Sequence, residues 1–406
     1  MKVIQADYIY IDGKFEKGLG VAFEKKIIMV ASIDKILHKY PDAEYLQAEP
    51  KSVLYAGFIN THVHLEFSAN ATTLQYGSFL PWLYSVIDNR DTLMNACDTQ
   101  MISDACQEML QSGVTTFGAI SSLGLELEAC IKAPQRVVFF NELIGSNPQS
   151  VDALYQDFLQ RFQASSQHKK DLVSPAIAIH SPYSVHTIVL KKALALAKEH
   201  QVAVSAHLLE SQAEREWLES SSGEFKEFFE NFFNQSKSLT TVDEFLLAFD
   251  GYPTHFTHCV EANDAELKKL SIQGHSVAHC PRSNRLLGCG RLAIEKLVAN
   301  DLPFSVATDG LSSNYSLNLF DELRSALMLH HLEDIHTLAN LLLTSVTATA
   351  GEILGLNIGK IKEGYEADLA LITLPQKPTR QSDIALWTIL HTEKVSQLYI
   401  QGERHV

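Results

Sequence analysis

The chain has 406 residues, and 33 lysines and arginines against 48 aspartates and glutamates leave it a formal charge of −15. That balance excludes general binding to nucleic acid or anionic membranes, and 46% hydrophobic with 20% charged residues is the composition of a folded protein. Six cysteines without a CxxC pair form neither a disulfide scaffold nor a zinc ribbon, so a reducing cytoplasm is the expected compartment.

The opening MKVIQADYIYIDGKF alternates like a strand and lacks the basic and apolar blocks of a secretory signal. From Val53 onward, short apolar runs rich in β-branched residues recur between longer helical patterns, the signature of βα units and a parallel sheet. Eight such runs stand at Val53–Asn60, Val114–Ile120, Arg136–Leu143, Pro175–His180, Val202–His207, Thr254–Cys259, His275–Cys280 and Phe304–Asp309. Eight parallel strands close naturally into a (β/α)8 TIM barrel, here predicted over residues 56–356. Residues 1–55 and 357–406 both read as short strands and turns, which predicts one small β-sandwich domain built from the two ends. No apolar run reaches the roughly 20 residues of a membrane span.

Most of the runs stay apolar until a His, Asp or Glu appears at the C-terminal end, where a barrel of this kind does its chemistry. His62 and His64 lie two apart in NTHVHLEF, so one strand can turn both towards one ion. An HxH alone is weak evidence. With His207 closing the fifth strand and Asp309 the eighth, four groups suited to zinc or iron converge on one end of the barrel.

Glu210, just past His207, is placed to shuttle protons, although a first-turn carboxylate could instead serve the helix start. His258 ends the sixth strand and can either ligate the ion or hold its water, of which the second is preferred. Glu142 and His180 end the third and fourth strands; His186 reads as a cap or surface residue, and His279 as either a packing histidine or a substrate contact. In the first barrel loop Phe79, Trp82 and Tyr84 could wall a substrate or simply pack a helix, and Asp88 or Asp91 could meet ribose hydroxyls. The long segment between Leu208 and Pro253 contains GEFKEFFENFF, either an amphipathic helix burying Phe225, Phe228, Phe229 and Phe232 on the barrel exterior or a lid over its mouth. Arg282 and Arg285, following the seventh strand, form a candidate clamp for a substrate carboxylate, with Arg285 preferred.

The segments GFINTHVHLEF, HSPYSVH, HLLES, THC, HCPRSNRLLG, ATDGLSSNYSLNLFDELR and EGYEADLALI together resemble the amidohydrolase superfamily over nearly the whole chain. Within it they are similar to deaminases of adenosine-type nucleosides, and HCPRSNRLLG with YGSFLPWLYSVI most resembles the aminofutalosine deaminases of the alternative menaquinone pathway. The resemblance implies one divalent metal, zinc or iron, on His62, His64, His207 and Asp309, with Glu210, His258 and Asp309 catalytic and His180 on the purine. The fourth strand has no lysine that could be carboxylated to bridge two ions, so a mononuclear site is implied. The implied reaction releases ammonia from aminofutalosine, with methylthioadenosine, S-adenosylhomocysteine or adenosine as the alternative substrate and a homodimer as the candidate assembly.

Overall fold

The computed structural model describes residues 1–168, 172–331 and 334–406. At its centre stand eight parallel strands, Phe58–Val63, Val114–Ser121, Arg136–Leu143, Val173–Ile179, Val204–Leu208, His255–His258, Ser276–His279 and Phe304–Val306, each paired to the next in chain order. Helices cover the outside, so residues on both faces of these strands are buried. That is why they read as continuous apolar runs instead of alternating ones. The eighth strand returns to the first: the Thr61 and Ser305 hydroxyls lie 2.6 Å apart, and the Asp309 amide donates to the His62 carbonyl at 3.2 Å.

The first expected run is two strands, not one. Ser52–Ala56 pairs antiparallel with Leu369–Thr373 outside the barrel, and only Phe58–Val63 belongs to it. Gly57 stands at the break, and only glycine fits there, since a Cβ would lie 2.2 Å from the Thr115 Oγ1.

The two ends of the chain form two further sheets. One orders Ile27–Ser32, Leu19–Phe23, Lys2–Gln5 and Glu44–Gln47; the other runs from Glu403–Arg404 through Gln397–Ile400, Leu369–Thr373, Ser52–Ala56 and Tyr8–Ile11 to Lys14–Glu16. Ile4, Val21 and Phe23 of the first meet Leu54, Leu369 and Tyr399 of the second in one core, which makes the pair a sandwich. Two helices that the sequence did not suggest, Ile33–Lys39 and Asp383–His391, lie in these end segments. The first buries only Ile36 and shows no stripe; the second, DIALWTILH, is apolar nearly all round and so has no helical period to read.

Two elements shape the barrel mouth, the helix Phe79–Ala96 after the first strand and the helix Glu224–Phe233 between the fifth and sixth. Phe225 and Phe228 meet Phe79 and Tyr84 of the first helix at ring separations of 5.9 and 5.7 Å, Phe225 meets Tyr183 at 4.8 Å, and Phe229 stacks on Trp217 at 4.7 Å. The segment therefore packs as an amphipathic helix, but against the mouth and not against the barrel exterior. Phe232, expected in the buried set, is 50% exposed. Among the described residues no helix is long and apolar enough to cross a membrane.

Candidate active site

His62 lies in the first strand and His64 one residue past its end, while His207 lies near the end of the fifth. One ring nitrogen from each comes within 4.8 Å of the others. In two of the three the second nitrogen is occupied: His207 Nδ1 donates to the His180 carbonyl at 2.6 Å, and His62 Nδ1 lies 3.1 Å from the Thr257 hydroxyl. Those contacts fix the rings and turn Nε2 inward. His62 Nε2 is buried without a partner, and the Nε2 atoms of His64 and His207 face each other at 3.4 Å. Burial first, and then the neighbouring rings, hold the His62 and His207 imidazoles well below their usual pKa. Neutral imidazoles so placed present lone pairs to one point, an arrangement that suits a cation between them. Asp309 borders the same point, its Oδ1 3.7 Å from the Nε2 of both His62 and His64. The donor set fits a single divalent ion.

Asp309 is tightly held. Its Oδ2 accepts from the Ser283 and Ser313 hydroxyls at 2.7 and 2.9 Å, and its Oδ1 from the Gly310 amide at 2.8 Å. Burial pushes its carboxyl pKa up, but His64, His258 and these hydrogen bonds outweigh it and hold the pKa below the ordinary value. Glu210 behaves in the opposite way: burial, then the charges of Asp309 and Glu214, push its carboxyl well above the usual range. His258 lies between them. Its Nδ1 donates to Asn284 Oδ1 at 2.9 Å, which leaves Nε2 3.5 Å from Glu210 Oε1 and 4.0 Å from Asp309 Oδ2.

The loop that carries Glu210 is fastened from below. Glu214 accepts the backbone amides of Leu209 and Glu210, both at 2.9 Å, and burial raises its own pKa to about 7. Leu209, His258, Cys259 and Asp309 all have positive φ, 50, 74, 50 and 57°. Such conformations are costly for residues with side chains, and here they gather at the ends of the fifth, sixth and eighth strands.

A cavity of about 430 Å³ opens above these groups, lined by His64, His207, Glu210, His258 and Asp309 at its deep end. His180 and Trp82 also line it. His180 Nδ1 is tied to the hydroxyls of Ser181 and Ser184 at 3.0 and 2.6 Å, and the Trp82 indole donates across the mouth to the Ser312 carbonyl at 2.8 Å.

The other expected substrate contacts lie elsewhere. Asp91 is exposed and lines a neighbouring depression, because its position on the helix Phe79–Ala96 turns it away from the stripe that faces the cavity. Arg282 is buried, its Nε 2.7 Å from Glu322 and its guanidinium over the Tyr315 ring, so its charge is spent inside the protein. Arg285, one helical turn later, is exposed and does not line the cavity. His279 pairs with His330 at 2.9 Å and packs away from the cavity; His186 caps the helix Thr187–His200.

Several residues of the site had no role in the sequence reading. Ser283 and Asn284 fix Asp309 and His258 from within HCPRSN, the segment whose arginines drew attention instead. Glu142, named only as the end of the third strand, lines the cavity with Oε1 buried, without a hydrogen bond and 3.7 Å from His207 Nδ1. Glu66 also lines it, accepting the amides of Ser122 and Leu123 at 3.2 and 2.6 Å.

A model of the amidohydrolase family matches residues 53–404. The chain is similar to the aminodeoxyfutalosine deaminase of Nitratiruptor sp., 44% identical over 406 residues and covering all of both chains. It is also similar to an adenosine deaminase of Helicobacter pylori, at 36% identity over 95% of this chain and 94% of that one. Among solved structures, the Helicobacter pylori aminofutalosine deaminase in complex with methylthio-coformycin matches with a TM-score of 0.95 and 33% identity, covering the whole of both chains.

Proposed function

This chain belongs to the amidohydrolase family, and from that premise we infer that it is a metal-dependent hydrolytic deaminase of an adenine nucleoside derivative. The substrate is aminodeoxyfutalosine, converted to futalosine and ammonia, and the setting we propose is the alternative menaquinone pathway in the cytoplasm. His62, His64, His207 and Asp309 would hold one divalent ion, zinc or iron. Such an ion lowers the pKa of a water towards neutrality, which makes a nucleophile available for the ring carbon that bears the amine.

The remaining work falls to the side chains, and the observation that carries the reading is the pair of carboxyls flanking His258, Glu210 Oε1 at 3.5 Å and Asp309 Oδ2 at 4.0 Å from its Nε2, whose surroundings push their pKa values in opposite directions. Asp309, held ionised, takes the proton that the attacking water loses. Glu210, whose carboxyl burial pushes well above the usual range, gives its proton to the ring nitrogen beside the attacked carbon, so charge does not build up on the purine as the carbon becomes tetrahedral. His258 can hold the water in line because Asn284 fixes its Nδ1–H and leaves Nε2 as an acceptor. The departing amine takes the proton from Asp309 and leaves as ammonia, while the proton still on the added oxygen passes to Glu210 as the carbonyl forms, restoring both carboxyls. His180, braced by two serine hydroxyls and lining the cavity, is placed to meet the purine.

The Helicobacter pylori relative favours adenosine as the alternative substrate. A panel of aminodeoxyfutalosine, methylthioadenosine, S-adenosylhomocysteine and adenosine, read by ammonia release from the metal-loaded protein, separates the two. The highest kcat/KM is expected for aminodeoxyfutalosine; a higher value for adenosine would reassign the substrate, and release from none would remove the deaminase reading.

A further inference from the structure

One wall of the cavity is a face of the helix Phe79–Ala96. Trp82, Leu83, Val86, Ile87, Arg90 and Met94 all line the cavity and recur at intervals of three and four, so they form one stripe. From Trp82 to Arg90 a helix rises about 12 Å. The stripe is apolar until Arg90, and Phe233 of the mouth helix adds an aromatic surface to the same cavity. Beyond, a second depression of about 590 Å³ shares Arg90, Met94 and Leu123 with the first, so Arg90 stands at the boundary where the groove widens to solvent.

The charges along this groove are unevenly committed. Two arginines line the cavity, Arg90 and Arg161. Arg161 is engaged by Asp157 at 2.9 Å and by the carbonyls of Ser121 and Glu142, both at 3.0 Å. Arg90 is exposed and has neither an ion pair nor a hydrogen bond among the described residues. The carboxyl groups of Glu66, Glu142, Asp157 and Asp309 also line the cavity, and Asp91 and Asp98 the depression beyond it, within a chain of net charge −15. An anionic group entering such a groove is repelled unless a local cation receives it.

We infer that Arg90 receives a carboxylate at the 5′ end of the nucleoside, whose aromatic tail lies along the apolar stripe with the adenine at the histidine cluster. This rests on the nucleoside reading above and deepens it: the preferred substrate class is an adenine nucleoside with an arylcarboxylate at the 5′ end, and the cation that selects it is on the first barrel loop, not after the seventh strand. A guanidinium suits this task because its planar fork pairs with both carboxylate oxygens.

The test compares Arg90→Met, Arg90→Lys and Arg285→Met with the unaltered protein, using aminodeoxyfutalosine as the carboxylated nucleoside and methylthioadenosine as the uncharged one. In Arg90→Met the ratio of the two kcat/KM values is expected to fall about tenfold, through KM for the carboxylated substrate, as the loss of an exposed bidentate pair predicts. Arg90→Lys should recover part of the ratio and Arg285→Met should leave it alone. Preference for the carboxylated nucleoside should weaken with added salt in the unaltered protein, and much less in Arg90→Met, because an exposed pair is screened. If the unaltered protein prefers the carboxylated nucleoside and Arg90→Met keeps that preference, Arg90 is not the partner while the substrate reading stands. If the unaltered protein shows no such preference, the substrate reading fails and this inference with it.

Discussion

Glu210 and Asp309 carry the same functional group and hold their protons in opposite ways. Glu210 has burial and two carboxylates for neighbours, whereas Asp309 has imidazoles, two hydroxyls and an amide. Replacing Glu210 with Gln removes the transferable proton without changing the shape, so turnover should drop by about a thousandfold while metal content and thermal stability hold. A loss below roughly tenfold would make Glu210 a structural carboxylate. His207→Ala or Asp309→Ala should instead remove most of the bound metal, measured by elemental analysis of the purified variants, since each withdraws one of few ligands. These residues were legible because each is a polar group ending an apolar run. The arginines after the seventh strand were not: which side a residue takes there depends on the phase of a six-residue helix, Pro281–Leu286, and one turn separates buried Arg282 from exposed Arg285. Asn284 and Ser283 were hidden for the same reason.

The strand ends keep their side chains in place through backbone geometry that a hydrophobic pattern does not reveal. His258, Cys259 and Asp309 sit in the left-handed region, which costs on the order of 1 kcal/mol or more each, and close packing around them supplies the constraint. Gly310 is the clearest part of it. A Cβ at this position would lie 2.6 Å from the His64 carbonyl oxygen and 2.8 Å from its Cβ, so the eighth strand's loop can pass His64 only as glycine. Gly310→Ala should therefore displace His64 and weaken metal binding roughly tenfold to a hundredfold, measured by competition with a chelator, with the fold retained by circular dichroism. Unchanged affinity would mean that the loop yields instead. The barrel was readable at this scale because buried parallel strands leave long apolar runs. The break at Gly57 was not, since Val53–Asn60 is apolar on both sides of a contact with Thr115 that only the folded chain creates.

Across the whole molecule, the barrel below the histidine cluster is closed by polar groups that the sequence shows only as scattered Thr, Ser and His. His255 joins the strands there, with Nε2 3.0 Å from the Thr61 hydroxyl and Nδ1 2.9 Å from that of Ser276. Burial lowers its pKa to about 3. The unfolded chain, with an ordinary histidine pKa near 6.5, takes up this proton first as the pH falls, so the stability His255 contributes is present above about pH 6.5 and is lost progressively below it. The slope approaches about 1.4 kcal/mol per pH unit. Chemical unfolding at pH 6.5 and pH 5 should cost the unaltered protein about 2 kcal/mol more than His255→Gln over that interval; equal losses would mean that His255 is charged in the fold. Above that closure the fold brings ring nitrogens of His62, His64 and His207 within 4.8 Å of one another, and everything proposed for the chemistry depends on one ion bound there. Stripping the protein with a chelator and titrating zinc or ferrous iron back, while following conversion of aminodeoxyfutalosine to futalosine, tests this most directly. Activity absent in the stripped protein, rising in proportion to added metal and levelling at one ion per chain, is the predicted result; deamination without metal, or a requirement for two ions, would contradict it.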